Sequence, residues 1–386
     1  MRTSIQVGRL IGIPIRLHFT FLILFPLIIM VFAITPGPVG LGDMEPLSRP
    51  LRYALAAIGA FLFLLSLLLH EMSHSYVAMR YGTRIRSITL FIFGGLAMME
   101  DLPKEPAKEW RIAIAGPLMS FALGGAFLLA HFSLAAAHQS IYDPITVLLF
   151  SLGLLNVVLA TFNLLPAFPM DGGRVLRAFL AKRMQFLTAT KRAVFVGKTF
   201  AVIMAIVGFM PDPFVFYTTG HVRLPFNPWL TFIAVFLYIA ATEEESATIT
   251  FTSLEGIQVK HVMQRENASV WEDMPLTELG EKMLAERNAE YAVVSESGDF
   301  KGLITFSELK KLSPEQRYPL TVADIIRPFD WLSEVVSQED EAVEALKRML
   351  STKQQLLAVE GEERGAIVGI ITKRDLAMVI EMLKGR

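Results

Sequence analysis

The chain has no cysteine among its 386 residues. That excludes disulfides and thiolate metal sites, so any zinc it holds must be bound by His, Asp or Glu. An excess of charge of one sign is also lacking: 36 Lys and Arg stand against 37 Asp and Glu, for a formal net charge of −1. Such a balance offers no basic footprint, and no nucleic acid is expected as a partner. Histidine is scarce, with seven in all. Apolar residues, by contrast, make up 53% of the chain and are unevenly spread. The first 242 residues are dominated by long apolar runs, whereas residues 243–386 have the charge content of an ordinary soluble domain.

About 20 apolar residues are needed to cross the hydrocarbon core of a bilayer. Six segments approach that length, roughly residues 17–34, 52–80, 110–132, 145–165, 193–209 and 229–241. The first is too long for a signal-peptide core and lacks a small-residue cleavage pattern, so it reads as retained. Orientation follows from Lys and Arg. The N-terminal arm and the connections after the second and fourth spans carry fifteen, from Arg2 to Arg192. The alternate loops carry three: Arg49, Arg52 and Arg223. Fifteen against three puts both termini in the cytoplasm of a multi-pass protein of the cell membrane, with the lipid bilayer as its solvent and partner. Residues 84–93 alternate well enough to form a strand, and Gly94-Gly95 marks a turn or bulge. Such a strand could pair with an extended substrate by edge addition, or could simply form a connecting hairpin.

Glu243-Glu244-Glu245 closes the membrane part, residues 1–245, and residues 246–252 read as a linker. An internal repeat follows. Val259-Lys260-His261-Val262-Met263 is similar to Val322-Ala323-Asp324-Ile325-Ile326, and the run from Gly302 to Leu309 is similar to that from Gly369 to Leu376. Each copy holds an amphipathic helical stretch (276–287 and 340–350) and then an apolar strand (291–294 and 356–359). Copies of about 60 residues are small for independent domains, so 253–315 and 316–386 read as one paired α/β module.

The chemistry sits in His70-Glu71-Met72-Ser73-His74, at the end of the apolar run 57–69. Histidines four apart on a helix project from one face and can grip one metal ion, and Glu71 is placed to take a proton from a water there. Ionisable groups in a membrane span are costly and usually functional, although an interhelical hydrogen-bond cluster is the plainer alternative. A catalytic zinc normally takes three protein ligands. Of the other histidines, His18 lies in the first span, His131, His138 and His221 on the outer side, and His261 in the soluble part. A carboxylate is the better third ligand. Asp171 stands out, because the prolines and glycines of the run from Asn163 to Arg174 break the fourth helix at the cytoplasmic depth of the histidines. Glu100, Asp101 and Glu109 are rivals in a charged loop, where solvation is the simpler account.

Three motifs together resemble the site-2 proteases, zinc metalloproteases that cut within membranes: His70-Glu71-x-x-His74, Asn163-x-x-Pro166 leading to Asp171-Gly172, and Ala115-Gly116-Pro117. The resemblance implies one zinc per chain held by His70, His74 and Asp171, with Glu71 as general base and acid. It implies that Asn163 binds substrate or stabilises the oxyanion, and that the substrate is a transmembrane-helix protein. Members often have Asn a few residues after the Gly-Pro pair, where this chain has Ser120. The C-terminal repeats resemble a tandem cystathionine-β-synthase (CBS) pair, a module that often binds adenine nucleotides. Thr372 and Asp375 fit the pattern whose Thr and Asp contact ribose and phosphate, whereas the first copy has Thr305 with Glu308 in place of Asp. The alternative is a dimerisation module, forming a homodimer through the repeats, or a scaffold.

The expected architecture is therefore a polytopic α-helical membrane protein of about six spans, with a small β element near the active site, fused to a soluble α/β tandem CBS module. The expected function is regulated intramembrane proteolysis under nucleotide control. Two other readings remain open at this level. One is a CBS-gated cation transporter or channel lined by His70, His74 and Asp171. The other is an inactive relative that binds membrane helices without cutting them.

Overall fold

Length and apolar character decide the elements of the first part of the chain. The computed structural model describes all residues except 1–3, 45–46, 92–93, 100–104, 139–142, 211–226, 265–268, 298, 327–328, 364–365 and 385–386. It divides into two units, Met1–Ser246 and Ala247–Arg386.

The first unit opens with a hairpin, β1 (Ser4–Leu10) and β2 (Ile13–His18), followed by α1 (Phe21–Ile34). The span expected from residue 17 thus starts later, with His18 ending a strand and its ring bonded to Thr20 Oγ1 at 2.9 Å. Ile11 and Gly12 both have positive φ, +50° and +79°, as a two-residue turn with the strand twist requires. After α1 come α2 (Arg49–Arg80), β3 (Ile85–Phe91), β4 (Gly94–Met99), α3 (Pro106–His138) and α4 (Pro144–Asn163). Gly94-Gly95, expected as a turn, begins β4 and pairs with Phe91 and Leu90. The unit closes with α5 (Asp171–Ala181), α6 (Phe186–Gly208) and α7 (Pro228–Ser253). Residues 246–252, expected as a linker, are the last turns of α7.

Among the described residues, α2, α3 and α4 are the helices long and apolar enough to cross a membrane. With a rise of about 1.5 Å per residue, the 32 residues of α2 exceed the roughly 30 Å of hydrocarbon. Shorter α1 has 14 residues. α6 carries Lys191, Arg192 and Lys198 within its 23 residues, and α7 carries three consecutive glutamates. α1, α2 and α4 bury Phe32, Ala56, Ala60, Leu148 and Leu152 between them, while Leu22, Phe61, Phe195 and Ile203 face outward. An outward apolar surface suits lipid, which offers no hydrogen bonds.

The strands of this unit form one sheet in the order β1-β2-β3-β4, with β2 and β3 parallel and the other pairs antiparallel. Ile13 and Ile15 of β2 and Ile88 and Leu90 of β3 pack on Leu67 and Met72 of α2. The sheet therefore lies against the stretch of α2 that carries the two histidines.

The second unit repeats one pattern twice. β5 (Ser269–Trp271), α8 (Leu276–Glu286), β6 (Glu290–Val294), β7 (Phe300–Thr305) and α9 (Phe306–Leu309) form the first copy. β8 (Val335–Ser337), α10 (Ala342–Thr352), β9 (Leu356–Glu360), β10 (Ile367–Thr372) and α11 (Lys373–Lys384) form the second. In each three-stranded sheet the first two strands are parallel and the last two antiparallel. The copies exchange their leading segments. Val259 is buried with Val336, Leu357 and Ile371 of the second copy, and its N–H donates to Asp340 O at 2.8 Å. Conversely, Val322 is buried with Val270, Leu276 and Tyr291 of the first, and its N–H donates to Met274 O at 3.0 Å. Neither core closes without a strip from the other repeat.

Candidate metal centre

His70 and His74 lie four residues apart on α2, with 2% and 6% of their surface exposed. The chain brings Asp171 to them from 97 residues beyond His74, at the first position of α5. Asp171 Oδ2 lies 3.3 Å from His70 Nε2 and 3.1 Å from His74 Nε2, and the two ring nitrogens are 3.2 Å apart. Zinc bonds N and O ligands at about 2.0–2.1 Å, so ligand atoms of a tetrahedral site should be about 3.3 Å apart. These donors already have that spacing. Two imidazoles and one carboxylate also match a known catalytic donor set. His70, His74 and Asp171 are the metal-competent cluster among the described residues.

Several neighbours aim the rings. His74 Nδ1 lies 2.7 Å from the carbonyl of Ile112, and His70 Nδ1 lies 2.9 Å from Ser120 Oγ. With Nδ1–H donating to these oxygens, both Nε2 lone pairs are free to face a metal. Ile112 and Ser120 belong to α3, and so does Gly116, where a Cβ would overlap the Nε2 atoms of both histidines. The glycine of Ala115-Gly116-Pro117 thus keeps a space that a side chain would fill. Gly172 has a similar task, because a Cβ there would meet the carbonyls of Leu164 and Leu165. Its absence lets the first turn of α5 sit against the end of α4. The broken segment between those helices works as its prolines and glycines suggested, turning the chain so that Asp171 points inward.

Glu71 is half-buried between the two ligand positions in sequence. Asn163 ends α4 and directs its amide at its own helix, donating to Leu159 O at 3.0 Å. Of the rival carboxylates, Glu100 and Asp101 lie outside the described residues, as does His221. Glu109 departs from the solvated loop residue expected: it is 3% exposed in the first turn of α3 and ion-paired with Arg177. Ser120 is fully buried, so the serine standing where members often have Asn is a hydrogen-bond partner of a candidate ligand. Its position just after Gly-Pro was the available signal. Ile112 left none, since it contributes only its backbone.

In the second unit, Thr372 and Asp375 cap α11. Thr372 N–H and Oγ1–H donate to Asp375 Oδ2 at 2.9 and 2.8 Å, and Asp375 N–H returns a bond to Thr372 Oγ1 at 3.2 Å. Gln264 Nε2 donates to both Asp375 oxygens, at 2.9 and 3.1 Å. Thr305 makes the matching box with Glu308, whose Oε2 accepts from its N–H at 2.6 Å and its hydroxyl at 3.0 Å. The glutamate that replaces Asp in the first copy therefore does the same capping.

Three helices, α2, α3 and α5, that bring His-Glu-x-x-His to a distant Asp define a membrane-region metallopeptidase. The pattern of peptidase family M50 matches residues 58–141 and 131–207, and that of the CBS domain matches residues 259–315 and 322–381. The chain belongs to peptidase family M50: it is a zinc metalloprotease of the site-2 type carrying CBS domains. It is 34% identical over 388 residues to a zinc metalloprotease of Methanocaldococcus jannaschii, covering 100% of this chain and 98% of the other. It is 32% identical over 395 residues to Rip3 of Mycobacterium tuberculosis, covering 100% and 94%. Among solved structures it is similar to a site-2 protease from M. jannaschii, with 37% identity, 63% of this chain and 95% of that one covered, and a TM-score of 0.41.

Proposed function

We propose that the chain hydrolyses peptide bonds within or near transmembrane helices of membrane-protein substrates, using a zinc held by His70, His74 and Asp171. The observation that carries this is the 3.1–3.3 Å mutual spacing of three donor atoms, two on a helix long enough to cross a bilayer and the third at the start of α5. Zinc at such a site lowers the pKa of a bound water towards neutrality and polarises a carbonyl. The protein's part is to orient and to move protons. The Ile112 carbonyl and Ser120 hold the imidazoles, and Gly116 leaves their metal-facing edges open. Glu71 accepts a proton as the scissile carbonyl is attacked and returns it to the leaving amine. Asn163 releases Leu159 O and donates its amide to the developing oxyanion.

Because a helix shields its own carbonyls, the substrate must unwind locally before it is cut, and Gly or Pro near the bond would ease this. The edge of the sheet beside α2 offers backbone partners for such an extended segment. Purified chain incubated with a single-span substrate, with zinc or a chelator and beside Glu71→Gln, tests the reading. Cleavage should need both the metal and Glu71. Cleavage that survives both treatments would end the mechanism, and tight zinc binding without cleavage of any substrate would favour the transport or inactive readings.

The same proposal includes adenine-nucleotide control at Thr372 and Asp375, with Thr305 in the first copy. What supports it is the likeness of the repeats to CBS domains and the burial of Thr372 and Asp375 at the head of α11. It also includes cytoplasmic termini, supported by the fifteen-to-three bias of basic residues, and a homodimer through the repeats, supported by exposed Leu284, Met378 and Met382. Titrating the chain with an adenine nucleotide, beside Asp375→Ala, should give saturable binding that the variant loses. Equal binding by both chains would remove the assignment.

A further inference from the structure

Six residues beyond Asp171 on α5, the Arg177 guanidinium is buried, its side chain 5% exposed. Its Nε donates to Glu109 Oε1 at 2.7 Å, its Nη2 reaches the same oxygen at 2.5 Å, and its Nη1 donates to Glu244 Oε1 at 3.0 Å. The guanidinium carbon also lies 4.9 Å from the ring centres of both Phe168 and Phe186. One side chain thus ties α5 to Glu109 of α3, to Glu244 of α7, to the segment that turns Asp171 inward and to the first residue of α6. Glu109 lies three residues before Ile112 on α3, the helix that also supplies Gly116 and Ser120 to the histidines. The second oxygen of Glu109 is buried without a hydrogen-bond partner, so the hydrogen bonds of this carboxylate come from Arg177 through the other oxygen.

We propose that Arg177 is a positioning residue for the metal centre: by clasping Glu109 and Glu244 it fixes α5 against α3 and so sets the distance from Asp171 to the two histidines. The proposal rests on the zinc reading above. The two spans of contact differ in consequence. Glu109 ties α5 to the helix that aims the imidazoles, whereas Glu244 ties it to α7, which runs on to Ser253. A planar guanidinium can bind both carboxylates at once, and an ammonium cannot reproduce that fork. Removing it also takes away the guanidinium that hydrogen-bonds both carboxylates, leaving Arg174 as a nearby cation acting on them. Lys198 and Glu245 provide a control, because their 2.8 Å pair joins α6 to α7 without touching α5.

The test measures zinc affinity of the full chain by competition with a chromophoric chelator, beside cleavage at rising zinc. Arg177→Ala should weaken zinc binding about tenfold, the lower end of what loss of supporting groups costs metal sites. Its lost activity should return at high zinc, Arg177→Lys should fall between the two, and Lys198→Ala should match the wild type. If Arg177→Ala does not fold, Glu109→Gln keeps the side-chain shape and should still weaken zinc. Wild-type zinc affinity in Arg177→Ala or Glu109→Gln would overturn the proposal, as would an equal loss in Lys198→Ala or a folded Arg177→Ala that zinc does not reactivate. A wild-type chain that binds no zinc would instead remove the metal reading, and this proposal with it.

Discussion

Ser120 Oγ, on α3, lies 2.9 Å from Nδ1 of His70, on α2, and both residues are buried. With Nε2 facing the metal, Nδ1 carries the proton and the serine accepts it, which fixes both the tautomer and the plane of the ring. Ser120→Ala should therefore weaken zinc binding by about 10–100-fold, and chelator competition measures it. Because one buried hydrogen bond contributes only about 1 kcal/mol net, the folded chain should survive the change.

Gly116 is constrained more tightly. Gly116→Ala would place a methyl group on the metal-facing nitrogens of both histidines. The variant should lose zinc and cleavage together while keeping its helical content. A Gly116→Ala chain that binds zinc like the wild type would show that α3 does not pack on the site as described.

The exchanged leading segments of the CBS repeats make a crossed prediction. Val259→Ala should cost about 2 kcal/mol, as a buried aliphatic truncation does. The loss of hydrogen-exchange protection should appear in β8, β9 and β10 of the second repeat, where Val259 is buried. Val322→Ala should loosen β5, β6 and β7 instead. Loosening confined to the repeat that contains the mutation would contradict the exchange.

Asp375 caps α11 whether or not a nucleotide binds. Asp375→Ala should lower the stability of the second unit by about 0.5–2 kcal/mol without any ligand, the usual cost of a lost cap. Thermal unfolding of the ligand-free chain checks this.

Glu290, on β6, supplies a pH dependence. Burial, and secondarily the charge of Asp375, raise its carboxyl above the ordinary 4.5, while Arg374 opposes them. The folded chain then holds this proton more tightly than the unfolded one. The contribution is complete below the unfolded value and is lost as pH rises through the folded one. Glu290→Gln should therefore gain stability relative to the wild type as pH rises above the ordinary 4.5, read as a growing difference in Tm. A difference that stays constant or shrinks would contradict the assignment.

The candidate metal centre was legible because its signals are local and costly. Two histidines at helical spacing in an apolar run, and an Asp in a run broken by prolines and glycines, stand out without knowledge of the fold. The repeat was legible for a similar reason, since each copy carries its own amphipathic helix and apolar strand. Contacts set by distant pairing were not. Glu109 looks solvated until α5 brings Arg177 to it, and Val259 reads as part of the first repeat although it is buried in the second. The N-terminal hairpin had a signal in the alternation of Ile13, Ile15 and Leu17 after Ile11-Gly12, but the apolar run beyond it hid the turn.

The most direct test of the account is bound zinc per chain together with single-turnover cleavage of a single-span substrate, for wild type, His74→Ala, Asp171→Ala and Glu71→Gln. The wild type should hold one zinc and cleave. His74→Ala and Asp171→Ala should lose both properties. Glu71→Gln should keep the zinc and cleave about 10²–10⁴-fold more slowly, the range expected for loss of a general base. Full zinc occupancy in Asp171→Ala, or unimpaired cleavage by Glu71→Gln, would contradict it.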